Sequence, residues 1–140
     1  MDDGDARTRT GPLLGVRVLE LGNFIAGPFA GQLFGDYGAE VIKIEAPDGG
    51  DPMRHWGVCV DDSSLWWPLI ARNKRSVVAD LKNPDDLAFV QRLAGECDVV
   101  LENFRPGVLA KFGLDYDTLT ASNPGIIVTQ STHKQLASFS

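Results

Sequence analysis

Residues 15–44 read GVRVLELGNFIAGPFAGQLFGDYGAEVIKI, and the expected fold follows from this stretch. Its first part, residues 16–21, alternates apolar and polar side chains between two glycines, which predicts a β-strand. A helix is predicted next, with Pro28 at its first position and Gly38 as its C-terminal cap. Residues 40–44 predict a second strand. The stretch is therefore typical of a strand–helix–strand unit.

The later part of the chain repeats this alternation of strands and helices. Strands are predicted at 76–81, 98–102 and 125–129, and helices at 65–70, 84–94, 106–112 and 115–121. The helix at 84 has the clearest start, because Asn83 can cap it and Pro84 fits its first turn. The succession predicts an α/β fold, a Rossmann-like open parallel sheet with helical crossovers.

Two other features concern the backbone. Gly31 and Gly35, four residues apart, leave one face of the first helix nearly bare, so that another backbone can approach it. Residues 46–65 are rich in Gly, Pro and Asp and predict a long loop, a kind of segment that is commonly functional or mobile. The acidic side chains of this loop (Asp51, Asp61 and Asp62) are expected to be solvated.

Composition excludes several classes of protein. The chain has 140 residues, 44% of them hydrophobic, and a net charge of −6, which indicates one folded domain and no general affinity for nucleic acid. No apolar run reaches the roughly 18–20 residues of a membrane span, and no signal peptide is recognised, so a soluble intracellular chain is predicted. Cys59 and Cys97 lack the spacing of a zinc site or a disulfide framework, and Cys97 is expected to be a small buried residue.

The charges are unevenly distributed along the chain. Residues 1–66 hold 5 basic and 11 acidic residues, whereas residues 67–140 hold 8 of each. Within the second half, four cations fall in eleven residues and are opposed only by Asp80; they are Arg72, Lys74, Arg75 and Lys82. Such a cluster suits a discrete anionic ligand. The alternative is an ordinary solvated surface.

The first strand-to-helix turn excludes two nucleotide-binding classes. Residues 22–31 read GNFIAGPFAG, which is not the Gly-x-Gly-x-x-Gly of dinucleotide sites. Pro28 and Phe29 stand where a phosphate-binding loop for nucleoside triphosphates needs Lys and then Ser or Thr. The backbone donors of this turn can serve another ligand, or the turn can be purely structural.

Several short stretches are specific in their order and spacing: 15–20, 26–30, 35–45, 50–54, 73–76, 80–82 and 102–107. Together they resemble the N-terminal part of class III CoA-transferases, which include formyl-CoA and carnitine CoA transferases. The α-methylacyl-CoA racemases share the same N-terminal pattern. The resemblance implies an N-terminal CoA-transferase lobe at 12–129, followed by a divergent tail at 130–140 that does not match the family pattern. Residues 1–11 are polar, with glycines and alternating charge, and predict a disordered lead-in.

The resemblance also implies the chemistry. Family members transfer CoA between an acyl-CoA and a carboxylic acid, with coenzyme A as the group transferred and no metal. The implied partners are those two substrates and a second subunit in a homodimer, with neither nucleic acid nor membrane. The implied location is cytoplasmic, with mitochondria or peroxisomes left open for a eukaryotic source.

Ten CoA contacts carry over from the matching motifs: Ile25, Ala26, Ala79, Asp80, Leu81, Lys82, Asn103, Phe104, Arg105 and Lys111. Arg105 and Lys111 are expected to meet phosphates, while Ala79 and Leu81 would pack against adenine. Formyl-CoA transferases have His where this chain has Asn23, and Gln where it has Ile25. The resemblance therefore does not extend to that particular substrate.

The family's nucleophilic aspartate lies beyond the last residue of this sequence. The expectation is thus a truncated CoA-binding lobe with no catalytic residue of its own, inactive by itself. Two alternatives stay open. One is an isomerase of the α-methylacyl-CoA racemase type, and the other is a non-catalytic CoA-binding or subunit-interaction fragment.

Overall fold

The computed structural model describes residues 8–131, which form one five-stranded sheet flanked by helices. The strands are β1 (Arg17–Glu20), β2 (Glu40–Glu45), β3 (Cys59–Val60), β4 (Ser63–Ser64), β5 (Lys74–Val78), β6 (Val99–Glu102) and β7 (Ile127–Gln130). The helices are α1 (Ala26–Asp36), α2 (Trp67–Ile70), α3 (Pro84–Gly95), α4 (Val108–Lys111) and α5 (Tyr116–Ser122), with a 3₁₀ helix at Pro52–His55.

The sheet has the strand order β5-β2-β1-β6-β7, and every neighbouring pair is parallel. The chain adds β2 and β5 on one side of β1 and then returns to add β6 and β7 on the other side. The predicted open parallel α/β sheet is thus confirmed. The reversal of direction lies between β1 and β6, where ligands of such folds bind beside the carboxyl ends of the strands.

Each face of the sheet has its own hydrophobic core. The face covered by α1 buries Val18, Ala39, Val41, Val99 and Leu101. The opposite face, covered by α3, α4 and α5, buries a larger set that includes Leu19, Val90, Val100, Leu114 and Leu119. The strands alternate between these faces, as period-2 geometry requires.

Several predicted boundaries were wrong by one to three residues, and two of these bear on the predicted site. Helix α1 begins at Ala26, so Pro28 is its third residue. Strand β5 ends at Val78, because the chain turns at Asp80: the Asp80 side chain accepts from the backbone N of Lys82 at 2.9 Å, and its carbonyl accepts from Asn83 at 2.9 Å. Asp80, Leu81 and Lys82 therefore form a turn after the strand.

The start of α3 is as predicted. Asn83 Oδ1 accepts from the backbone N–H groups of Asp85 (2.9 Å) and Asp86 (3.2 Å), and Pro84 opens the helix. The long segment after β2 contains more structure than expected, since it includes the 3₁₀ helix and the β3–β4 hairpin.

The ends of the sequence lie mostly outside the described residues. Residues 1–7 of the predicted lead-in (1–11) and residues 132–140 of the predicted tail (130–140) lie outside the described residues. Gln130 is the last residue of β7, and the backbone N of Ser131 donates to the carbonyl of Glu102 at 2.9 Å. Within residues 8–131, no helix is long and apolar enough to span a membrane.

Cys97 is buried, as predicted, and Cys59 is exposed. Burial raises the pKa of the Cys97 thiol to about 11, so at pH 8 very little reactive thiolate is present. We expect iodoacetamide to alkylate Cys59 in the folded protein and to reach Cys97 only after unfolding. Mass spectrometry of peptides labelled with and without urea checks this, and rapid labelling of Cys97 without urea would contradict the described core.

Candidate functional site

The loops after β1 and β6 meet at the point where the strand order reverses. The Asn103 side chain, just after β6, fastens them together. Its Oδ1 accepts from the backbone N of Asn23 at 2.8 Å, and its Nδ2 donates to the Asn23 carbonyl at 2.7 Å. The Asn103 amide thus hydrogen-bonds both backbone polar groups of Asn23, as a neighbouring β-strand would. Its oxygen and its nitrogen are therefore both engaged within the protein.

Glycines allow this close junction. A Cβ on Gly22 would lie 2.8 Å from Asn103 Oδ1 and 3.2 Å from the Cα of Gly27. A Cβ on Gly27 would likewise lie 3.2 Å from the Cα of Gly22. The turn and the first residues of α1 pack backbone against backbone, which fixes where α1 begins relative to the sheet.

A buried ionic network lies directly beneath this turn. The Lys43 ammonium contacts Glu20 Oε1 at 2.9 Å, Asp51 Oδ2 at 2.8 Å and the Gly22 carbonyl at 2.8 Å. The contacts with Glu20 Oε1 and the Gly22 carbonyl are hydrogen bonds, and the contact with Asp51 is an ion pair. The Lys43, Glu20 and Asp51 side chains are at most 1% exposed, so each charge depends on the others for compensation.

The network extends to β5 through Lys74. Its Nζ lies 2.8 Å from Glu20 Oε2 and donates to the carbonyl of Pro28 in α1 at 2.6 Å. The Lys74 side chain is only 2% exposed. Burial lowers the pKa of Lys74, while the Glu20 carboxylate opposes that shift.

The segment after β2 is held by a second buried carboxylate. Glu45 accepts from Arg54 through both oxygens at 2.7 Å, from the backbone N of Asp51 at 2.9 Å, and from the Ser76 hydroxyl. The Arg54 guanidinium also lies 4.1 Å from the centre of the Trp67 ring. This segment is therefore anchored to β2 and β5. Asp51, expected to be solvated, is fully buried because it joins both networks.

The predicted CoA contacts lie mainly along the carboxyl edge of the sheet. Ile25 and Ala26 are exposed at the start of α1; Asn103, Phe104 and Arg105 follow β6; Ala79, Asp80, Leu81 and Lys82 follow β5; and Lys111 ends α4. Three strand spacings separate β5 from β6, or about 14 Å. Arg105, Lys82 and Lys111 are exposed, whereas Ala79 is only 4% exposed.

The predicted cationic cluster does not form as one surface. Arg72 pairs with Asp36 at 2.6 Å, Arg75 pairs with Glu40 at 3.2 Å, and Lys74 is buried against Glu20. The hydrogen bond from Arg72 lowers the pKa of Asp36. The first three cations of the run are therefore engaged by carboxylates of the protein. The fourth, Lys82, follows the carboxyl end of β5.

A cavity of about 240 Å³ adjoins the site between α1 and the ends of β6 and β7. It is lined by residues that include Ala26, Ala30, Leu101 and Glu102. Burial raises the pKa of Glu102, whose Oε2 accepts from the backbone N of Phe104 at 2.7 Å. In the part of the chain that the structure describes, no cluster of three or more His, Cys, Asp or Glu side chains could hold a metal ion.

An open parallel sheet whose strand order reverses between β1 and β6 places the chain among open α/β proteins, a class in which ligands bind beside the carboxyl ends of the strands. Residues 13–133 match the family model described as CoA-transferase family III, and the chain belongs to this family. The structure is similar to the crystal structure of a CAIB/BAIF family protein from Brucella suis, with a TM-score of 0.79 and 42% sequence identity. The match covers 87% of this chain and 33% of the Brucella suis chain.

Two curated relatives show the same partial overlap. The succinyl-CoA–D-citramalate CoA-transferase of Chloroflexus aurantiacus is 57% identical over 118 residues, which are 84% of this chain and 29% of the relative. The succinate–glutarate CoA-transferase of Agrobacterium fabrum is 46% identical over 135 residues, 91% of this chain and 34% of the relative. The chain thus spans about a third of the length of the relatives it matches.

The bare face of α1 is occupied by the ionic network, and Gly31→Ala tests this packing. A Cβ on Gly31 would overlap the Glu20 carboxylate, which two lysines hold in place. We expect the variant to lose about 1–3 kcal/mol of unfolding free energy in urea. Gly95→Ala is the matched control, because nothing lies within 4 Å of its Cβ and alanine favours a helix. Equal stability of the two variants would contradict the described packing.

The Glu45 network predicts a pH dependence. Burial disfavours the charged form, but the hydrogen bonds from Arg54, Ser76 and Asp51 prevail and lower the pKa of Glu45 from 4.5 to about 2. Glu45 therefore stabilises the fold above its unfolded pKa, by about 2–3 kcal/mol, and this contribution is lost as pH falls from 4.5 towards 2.

Urea unfolding of Glu45→Gln beside the unmodified protein measures this contribution. The difference between the two is expected to be largest near pH 7 and to shrink below pH 4.5. Glu96→Gln, whose side chain is 73% exposed, serves as the control. A difference that stays constant from pH 7 to pH 3 would show that the ionised carboxylate is not the stabilising group.

Proposed function

We propose that this chain is a CoA-binding lobe of a CoA-transferase, and that CoA lies along the carboxyl edge of the sheet. The observation that carries the proposal is the junction of the β1–α1 turn and the β6 loop through Asn23 and Asn103. Ile25 and Ala26 follow Asn23 in the chain, Arg105 follows Asn103, and all three are exposed. Membership of CoA-transferase family III supports CoA as the ligand.

The side chains at this edge suit the parts of CoA differently. The exposed cations Arg105, Lys111 and Lys82 suit its phosphates, since guanidinium and ammonium groups make charge-assisted hydrogen bonds to phosphate oxygens. Ala79 offers little side-chain surface, so Leu81 and the backbone of the turn after β5 would line the adenine. Because the Asn103 amide is engaged by Asn23, we assign Asn103 the role of holding the turn.

The transfer reaction needs more than this lobe. CoA passes from an acyl-CoA to a carboxylic acid, so one thioester breaks as another forms, and a carboxylate nucleophile is implied by the resemblance. We place that aspartate outside the 140 residues and propose that the chain alone binds CoA without transferring it. The relatives named above act on succinyl-CoA or succinate with citramalate or glutarate, and we propose acids of this kind as acceptors.

An apolar row along α1 supports a further contact in the complete enzyme. The row comprises Ile25, Phe29, Leu33 and Tyr37, spaced four residues apart, and each is at least 40% exposed. Such a row on a helix is typical of a surface that another part of a protein covers. It supports the proposal that the active protein is a dimer in which further chain covers this lobe.

Titration calorimetry with CoA tests the binding proposal. Arg105→Ala is expected to weaken binding about 10- to 100-fold, because a charge-assisted hydrogen bond contributes about 1.5–3 kcal/mol. Arg92→Ala is the matched control, since this exposed arginine lies in the last turn of α3, at the opposite edge of the sheet. Equal weakening by both variants, or no binding by the unmodified chain, would refute the proposed site.

An assay of the chain with succinyl-CoA and a carboxylic acid tests the proposal that it is inactive alone. No transfer above background is expected, while CoA binding persists. Sustained formation of a new acyl-CoA would overturn this part of the proposal. Loss of stereochemistry at the α-carbon of a chiral acyl-CoA would instead indicate an isomerase.

A further inference from the structure

The buried ionic network is costly, and its position explains what it does. Removing charges from water is unfavourable unless each is closely paired, yet Glu20, Lys43, Asp51 and Lys74 all have side chains at most 2% exposed. All four lie under the β1–α1 turn or against the first turns of α1. The network thus lies behind the two residues, Ile25 and Ala26, that carry the proposed CoA contact.

The network holds the turn on the side that precedes Ile25. Asp51 Oδ1 accepts from the backbone N of Phe24 at 3.1 Å and from that of Met53 at 2.9 Å, while Lys43 donates to the Gly22 carbonyl at 2.8 Å. Phe24 has φ +68°, a left-handed conformation that is unfavourable for a residue with a side chain. The Asp51 contact stabilises this conformation.

The network also holds the chain on the side that follows Ala26. Lys74 donates to the Pro28 carbonyl at 2.6 Å and pairs with Glu20, which in turn pairs with Lys43. One connected set of charges therefore holds the backbone at Gly22, Phe24 and Pro28. Between these points Ile25 and Ala26 remain exposed.

We propose that Asp51 and Lys43 are positioning residues for CoA binding, which act by holding the β1–α1 turn in the conformation that receives the ligand. The inference rests on the proposed function and deepens it, since neither buried side chain reaches the surface where CoA would lie. A turn that is already ordered loses less conformational entropy when the ligand binds, so loss of Asp51 reduces affinity for CoA.

The test measures local order and affinity separately on the full chain. Asp51→Ala removes the acceptor for Phe24 and Met53, and Asp51→Asn is a milder variant that keeps one side-chain oxygen. Glu40→Gln is the control, because Glu40 pairs with Arg17 and Arg75 and begins β2, at the opposite edge of the sheet. Circular dichroism and urea unfolding establish that each variant is folded at the temperature used.

We expect Asp51→Ala to affect the β1–α1 turn more strongly than the core of the protein. In Asp51→Ala the amide of Phe24 exchanges with solvent at least 10-fold faster, while the core amide of Val100 changes less, and calorimetry shows at least 10-fold weaker CoA binding. Asp51→Asn lies between it and the unmodified protein, and Glu40→Gln leaves CoA affinity within about 2-fold. If Asp51→Ala does not fold, Asp51→Asn decides the question.

Two results would overturn the inference. One is a folded Asp51 variant that binds CoA as tightly as the unmodified chain. The other is an exchange rate at Phe24 that rises only in proportion to that of Val100, which would indicate general loss of stability. If the unmodified chain binds no CoA, the proposed function and its link to Asp51 both fail, and the exchange rates alone then decide whether Asp51 orders the turn.

Discussion

The contact between the Lys43 ammonium and the carboxylates of Glu20 and Asp51 is the interaction on which the rest of the structure depends. It joins β1, β2 and the loop after β2 at one buried point, and Lys74 extends it to β5 and α1. Removal of a single partner would leave an uncompensated charge in the interior, which is far more destabilising than loss of an exposed ion pair.

This constraint explains the sequence of α1. The helix must approach the sheet closely enough for the Pro28 carbonyl to reach Lys74, and the Glu20 carboxylate occupies the space where a Gly31 side chain would stand. Gly27 serves the same purpose against Gly22. The outer face of the helix, free of these demands, carries exposed apolar residues such as Phe29 and Leu33.

The fold was predictable from the sequence because its signals are local. The alternation of apolar and polar residues in 16–21 and 40–44 predicts β1 and β2, and the Asn83 cap predicts the start of α3. The structure contains all three elements. The ion pairs were not predictable in this way, since Lys74 and Arg75 meet carboxylates 54 and 35 positions earlier in the chain. A run of cations therefore appeared as one cluster, although its members point to different partners.

Asp51 is a second example of a contact that local sequence does not predict, here within a loop. A loop rich in Gly, Pro and Asp predicts solvated acids, and only the folded arrangement brings Asp51 to Lys43. One signal was available in the sequence: a lysine between Ile42 and Ile44 in a strand buried on both faces needs a carboxylate partner. The positions of the proposed CoA contacts followed from the motifs, whereas the engagement of the Asn103 amide required the structure.

The proposed mode of binding places CoA along the carboxyl edge of the sheet, over a turn held by buried charges. Amide chemical shifts of the 140-residue chain, followed by NMR as CoA is added, test it most directly. The largest changes are expected at Ile25, Ala26, Leu81 and Arg105. Changes concentrated at the opposite edge, around Arg17 and Asp98, or no changes at millimolar CoA, would contradict it.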